Sequence, residues 1–405
     1  MNGVFFKSGI TVGTAGPSLG DLRRRAKNDP VTFIQRIEQL VNDGKLKLGM
    51  FGDLRGLYQA TADIQVPVTL QIGGTTRAVM ASAFPILTGT TMIKEINDAY
   101  LDVAKVGDQL VTEIDDNKKI TTIANVHSLD KNIEEVKEAD DFPEISADEE
   151  KVEIRHKRNG RKLSITQEMI DENELADIVS RVNALGTIAG EWIEEQTLRR
   201  VTDHDGCAAS PAEPYVYRPG GTGTALYSST ANTPGTRAPS GNRKTSNALA
   251  DDTDLDNARA LLATMKNSRG KSLGINWSDI QLLVPYSIYG MASTILNSEY
   301  VPGVVNEVSN YGPRGQWNIT KDRLVTTPKL DDLSASAWYL GAFRKQFRRK
   351  WKLRFEYVTL GTDTQAYLNS RIAFQARIAW DCEIGAVDYV YVVQNLAATT
   401  APKDA

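Results

Sequence analysis

The residues whose types could support catalysis fail on spacing. Gly270-Lys271-Ser272 has the ending of a phosphate-binding loop, in which glycine amides cradle phosphate and a lysine neutralises it, but Met265 stands where the first glycine belongs. The triplet also follows a predicted helix instead of opening one, so it reads as a helix-ending turn. Gly221-Thr222-Gly223 offers half of a dinucleotide fingerprint, yet Leu226 occupies the third small position and no strand precedes it. His204, Asp205 and Cys207 sketch a metal or nucleophile site without a second His or Cys at ligand spacing; His127 and His156 lie in charged segments. The carboxylates between 134 and 150 lack the Asp-x-Asp-x-Asp-Gly order of a calcium loop and read as a solvated or partner-facing face. No catalytic residue, cofactor or metal ligand is expected.

One segment keeps a binding reading. From Arg344 to Phe355 basic residues interleave with aromatics, the composition with which cations neutralise phosphates and rings stack bases. On a strand the alternation separates them: Trp351, Leu353, Phe355 and Tyr357 point to a core, and Lys350, Lys352 and Arg354 point away from it. The rings are then unavailable for stacking, which predicts a cationic face that meets acidic protein in preference to DNA.

Whole-chain quantities agree. A chain of 405 residues, 41% hydrophobic and 24% charged, can build two or three domains with a real core and is not extensively disordered. Its formal charge of -4 supplies no basic excess for coating DNA. Cys207 and Cys382 lie too far apart in sequence for a disulfide framework, which fits a reducing compartment. No stretch approaches ~18 apolar residues and the N-terminus lacks an apolar signal core, so secretion and membrane spanning are disfavoured.

The elements that must position these charges follow from periodicity. Gly3 to Pro30 reads as an extended arm, Val31–Asn42 as a short amphipathic helix, Gly49 to Thr91 as further arm, and Met92–Val106 as a second helix. Lys151–Ile165 alternates around Asn159-Gly160, the pair suited to a type I′ turn, and predicts a hairpin whose tip carries Arg155, His156, Lys157, Arg158, Arg161 and Lys162. Such a hairpin has too little apolar surface to stand alone and needs a partner surface. Ser164 with Gln167, or alternatively Thr166, caps a helix that continues to about Val201, roughly 35 residues and ~50 Å long. Asp205–Asn247 reads as a connector. An α/β rhythm follows: a helix over Thr253–Lys266, a strand over Ile280–Val284, a helix from Pro285 to Asn297, and strands near Arg323–Thr326 and Trp338–Gly341. The final third is β structure, ending in a hairpin turned at Gly385 and Asp388.

In that order, the chain resembles a major capsid protein of tailed double-stranded-DNA phages with the HK97-like fold. Phe142-Pro143-Glu144 before Val152-Glu153-Ile154, then Asn159 through Ile170, is similar to that family's junction of hairpin and spine helix. Leu282-Leu283-Val284-Pro285, Ala292 to Ser298, and Trp338-Tyr339-Leu340-Gly341 leading to Lys345-Gln346-Phe347 are similar too, so the likeness runs from about Thr90 to Leu396. It implies an α+β chain: an N-terminal arm (1–90), the start of a peripheral domain (91–120), an extended loop (121–165), spine helix and connector (166–250), an axial domain (251–345), closing β strands (346–396) and a tail (397–405); for 1–90 an uncleaved, ordered arm is expected, with a scaffold-like segment and a cleaved leader as the alternatives. It also implies pentamers and hexamers in an icosahedral shell around packaged DNA, which is touched weakly and without sequence preference. Portal, scaffold or decoration proteins are the other implied partners, with assembly in the host cytoplasm. The residues expected at subunit contacts are Glu144, Asp148, Glu149, Arg155, Arg158, Gly160, Arg161, Lys350, Lys352 and Arg354, with the acidic run meeting the 350–354 face across a boundary. Two alternatives accompany this reading: an encapsulin-like cargo shell of the same fold, and a DNA-binding protein using residues 344–354.

Overall fold

A two-residue link is enough to reverse a strand, and in the computed structural model β1 (Gln65–Ile72) pairs antiparallel with β2 (Thr75–Ser82), Ile72 opposite Thr75. The structure describes residues 65–72, 75–129, 147–172, 174–204, 225–229, 237–267, 270–297, 323–360 and 371–397, with the short antiparallel pair Val4–Phe5 and Thr11–Val12 and four single positions before 65. The expected helix at Val31–Asn42 and most of the 1–90 arm therefore lie outside the described residues. Helix α1 (Ala83–Asp102) begins well before Met92, because Pro85 falls in its first turn, where a missing amide costs nothing. Three strands follow: β3 (Thr112–Asp115), β4 (Ile120–Leu129) and β5 (Ala147–Arg155).

The predicted hairpin around Asn159-Gly160 does not form. β5 pairs antiparallel with β4, Ile154 opposite Thr121 and Val152 opposite Ile123, and β6 (Lys157–Thr166) runs straight through Asn159 and Gly160. The glycine serves close approach instead of a turn: a Cβ there would lie 2.6 Å from the Ile378 carbonyl oxygen. The two alternating runs thus belong to different sheets, which sequence periodicity could not distinguish.

The expected continuous spine is divided in two. Thr166 Oγ1 accepts from the Met169 amide at 3.4 Å and caps α2 (Gln167–Asp171), and α3 (Leu175–Thr202) continues for 28 residues, about 42 Å. The remaining elements are β7 (Arg243–Lys244), α4 (Asp252–Ala263), β8 (Gln281–Pro285), α5 (Tyr289–Asn297), β9 (Leu324–Thr327), α6 (Lys329–Leu333), β10 (Trp338–Gly341), α7 (Phe343–Gln346), β11 (Phe347–Leu360), β12 (Ile372–Ala386) and β13 (Val392–Asn395). The class is α+β, as expected.

Two units partition the chain. The first comprises Met1–Ala104, Arg158–Trp192 and Arg354–Trp380. Its core includes Met92 and Ile96 of α1, the Ile178, Val182, Leu185, Ala189 stripe of α3, and Ile378 and Trp380 of β12. Tyr100, Phe355, Trp380 and Trp192 form a chain of ring contacts with centroids 4.2 to 5.7 Å apart. Gly186 and Gly190 sit where α1 comes closest to α3: a Cβ at Gly186 would lie 2.3 Å from Ile96 O, and one at Gly190 2.9 Å from Val103.

The second unit comprises Lys105–Lys157, Ile193–Leu353 and Asp381–Ala405. Its five-stranded mixed sheet has the order β9-β8-β10-β13-β7, so residues outside 251–345 complete what the sequence presented as a self-contained α/β segment. The closing hairpin is likewise absent: β13 pairs with β10 and β7, not with β12. The described part of the supposed connector enters the core, with Leu226, Tyr227, Ala238 and Asn242 fully buried. Asn242 earns its place by donating to the carbonyls of Leu226 and Tyr389 at 2.9 Å each.

Candidate intersubunit surface and the charges beneath it

The structure overturns the cationic face expected on β11. Arg349 and Lys350 are each 1% exposed, Lys352 is half-buried, and only Arg354 stands in solvent. Arg349 and Lys350 are covered because both find partners within the second unit. Arg349 Nη1 pairs with Asp108 and, at 3.3 Å, with Glu113; its Nη2 donates to Thr197 Oγ1 at 2.8 Å. Trp351 Nε1 donates to Glu113 at 3.1 Å, so this ring is occupied and buried. Lys350 Nζ donates to the Lys118 carbonyl, and burial holds its pKa below the ordinary lysine value. A groove that stacks bases on 344–355 is therefore excluded.

Around Arg349 the network is dense. Glu194 on α3 accepts from the Gly107 amide at 2.9 Å, and burial, reinforced by Asp108, pushes its carboxyl upward. Burial lowers Lys105 to about 8 in spite of Asp108 nearby. Two further buried pairs tie distant segments together: Arg200 with Glu383 at 3.4 Å, and Arg237 bidentate with Asp388 at 3.0 and 2.8 Å. The sequence did carry a signal for Arg200, which falls on the apolar stripe of a long helix, whereas Glu194 lies on the opposite face. Nothing local marked Arg237. His156, the lone residue between β5 and β6, has Nε2 4.0 Å from Asp381, and burial followed by Lys350 and Lys352 holds its pKa below the ordinary histidine value.

The other expected contact residues divide as follows. Glu144 lies outside the described residues. Asp148 and Glu149 occupy β5 opposite Ser128 and Val126. Arg155 at the end of β5, and Arg158, Gly160 and Arg161 on β6, are exposed. The pairing of the acidic run with Lys350 loses its basis, because that ammonium group is buried against the Lys118 carbonyl. Cys382 is a free, buried thiol pushed up to about 12 by desolvation, and Cys207 lies outside the described residues. Among the described residues, no three His, Cys, Asp or Glu side chains gather as a metal cluster, and no helix is long and apolar enough to cross a membrane. Sequence reasoning missed the exposed Tyr286 and Tyr289 at the start of α5, whose rings lie parallel with centroids 6.2 Å apart, beside exposed Met291.

The family model described as phage capsid protein matches residues 149–395, more than half of the chain. The chain belongs to the phage capsid protein family. The matched region runs from β5 to the end of β13, and therefore includes both larger sheets except for β3. This capsid protein also resembles solved structures at low identity. The capsid of the cyanophage P-SCSP1u is 11% identical over 73% of this chain and 89% of that one, with a TM-score of 0.47. The mature capsid of bacteriophage PhiM1 gives 12%, 74%, 89% and 0.44, and the virus-like particle from Pyrococcus furiosus 9%, 75%, 97% and 0.43. No curated protein matches the sequence.

Proposed function

We propose that this capsid protein is the major head subunit, assembling as pentamers and hexamers into an icosahedral shell around packaged duplex DNA. The observation that carries the reading, beyond the family match, is the β4–β5 ribbon: two strands with no third beside them among the described residues. A two-stranded ribbon is marginal in water, and a subunit that lays it on a neighbour gains the missing surface. The work is mechanical and needs no catalytic residue. The acidic chain balance suits a container, because a wall that gripped DNA tightly would hinder its entry and exit. The family match favours a phage head over a cargo compartment. Portal, scaffold and decoration partners and host-cytoplasmic assembly belong to the same proposal. Negative-stain microscopy and light scattering of the purified chain test it: closed shells or rings are expected, and a monomer that persists at every concentration overturns it.

A further inference from the structure

β5 and β6 are separated by His156 alone. A hairpin turn takes about two residues at least, so β5 cannot reverse onto β6 of its own chain. Yet each has an edge with no strand beside it among the described residues. β5 pairs only with β4, and β6 ends the order β3-β11-β12-β6. An open edge of this kind is a template for a further strand.

The charges on the two edges are complementary. β5 contains Asp148, Glu149 and Glu150 at successive positions, and Arg161 and Lys162 are exposed at successive positions of β6. Successive residues of a strand point to opposite faces of a sheet. Arg161 and Lys162 therefore place one cation on each side of the edge. An added strand with acids at consecutive positions presents one carboxylate to each side as well. A duplex phosphate backbone lying against one face would meet only one of the two cations, so the arrangement favours a protein strand over nucleic acid. Charge matching of this sort sets register and partner choice more than affinity.

We propose that the acidic segment Asp148–Glu150 of one copy adds to the β6 edge of a second copy, extending that copy's sheet by main-chain hydrogen bonds and by carboxylates against Arg161 and Lys162. The proposal rests on the head-subunit reading and relocates the subunit contact from the β11 face, where Lys350 is buried, to the β6 edge.

Three variants test it: Arg161→Glu with Lys162→Glu, Glu149→Lys with Glu150→Lys, and all four together. Each pair alone is expected to lower particle yield by about tenfold or more while circular dichroism and melting stay at wild-type values, and the combined variant to recover most of that yield. Carbodiimide treatment of mixed light and ¹⁵N-labelled chains is expected to join Lys162 to an acid of 148–150 between chains. Normal yield from either pair, no recovery in the combination, or a linkage found only within one chain overturns the proposal. Normal particles from the Arg161→Glu, Lys162→Glu variant that retain less duplex DNA also overturn it, and assign the edge to nucleic acid. A wild-type chain that stays monomeric defeats the head-subunit reading itself, which the variant comparison does not.

Discussion

Adding a single methyl group at Gly186 tests whether α1 and α3 are held at their separation by missing side chains. The new Cβ would stand 2.3 Å from the Ile96 carbonyl oxygen, so α1 would have to retreat by roughly 1 Å to reach ordinary contact at 3.4 Å. That oxygen belongs to helix backbone and cannot rotate aside. Overpacking of this kind costs about 1–3 kcal/mol. Replacing glycine within a helix returns up to about 1 kcal/mol. Because helix backbone is what the new group meets, the upper part of the overpacking range applies, about 2–3 kcal/mol, and with about 1 kcal/mol returned the expected net loss for Gly186→Ala is about 1–2 kcal/mol. Gly190→Ala meets the Val103 side chain at 2.9 Å and should lose less, because a side chain gives more readily than backbone. Gly290→Ala in α5 is the internal control: no heavy atom lies within 4 Å, so only the propensity gain remains. Urea titration of disassembled protein, with midpoint and slope fitted separately, gives the ranking. A Gly186→Ala midpoint at or above wild type, or a larger loss at Gly290 than at Gly186, would refute the argument.

Three other outcomes follow from the geometry. Gly160→Ala should reduce the stability of the unassembled subunit by about 1–3 kcal/mol, because its Cβ would meet backbone of β12. Loss of particles at unchanged subunit stability would instead support a turn tip. Arg237→Met should cost about 3–5 kcal/mol by leaving Asp388 buried without its bidentate partner. Adding Asp388→Leu should recover part of the loss, and a single-variant cost under about 1 kcal/mol would count against the pair. His156 is held below its ordinary value, so it binds a proton more readily in the unfolded chain. Its contribution is complete above about pH 6.5 and is eroded as pH falls from there toward the lowered folded value. Denaturant midpoints across that window should fall less steeply in His156→Gln, and parallel slopes would remove His156 as the cause.

Local information was enough for the elements that local forces decide. The Ile178, Val182, Leu185, Ala189 stripe marks α3 because burial on one face of a helix repeats every 3.6 residues, and the Trp338–Gly341 strand emerges with the bounds its apolar run suggests. What the sequence could not contain was pairing. Asn159-Gly160 carries the composition of a turn, but whether the chain reverses there depends on β12 offering backbone within reach of Gly160, and β12 lies more than two hundred residues away. Lys350 and Lys352 alternate like a solvent face, yet Asp108, Glu113, Asp116 and Thr197 gather from other segments and make a buried charge tolerable for the neighbouring Arg349 and Lys350. Charge and periodicity are properties of one stretch of chain, whereas the cost of burying a charge is set by what the rest of the chain brings to it, and only tertiary structure decides that.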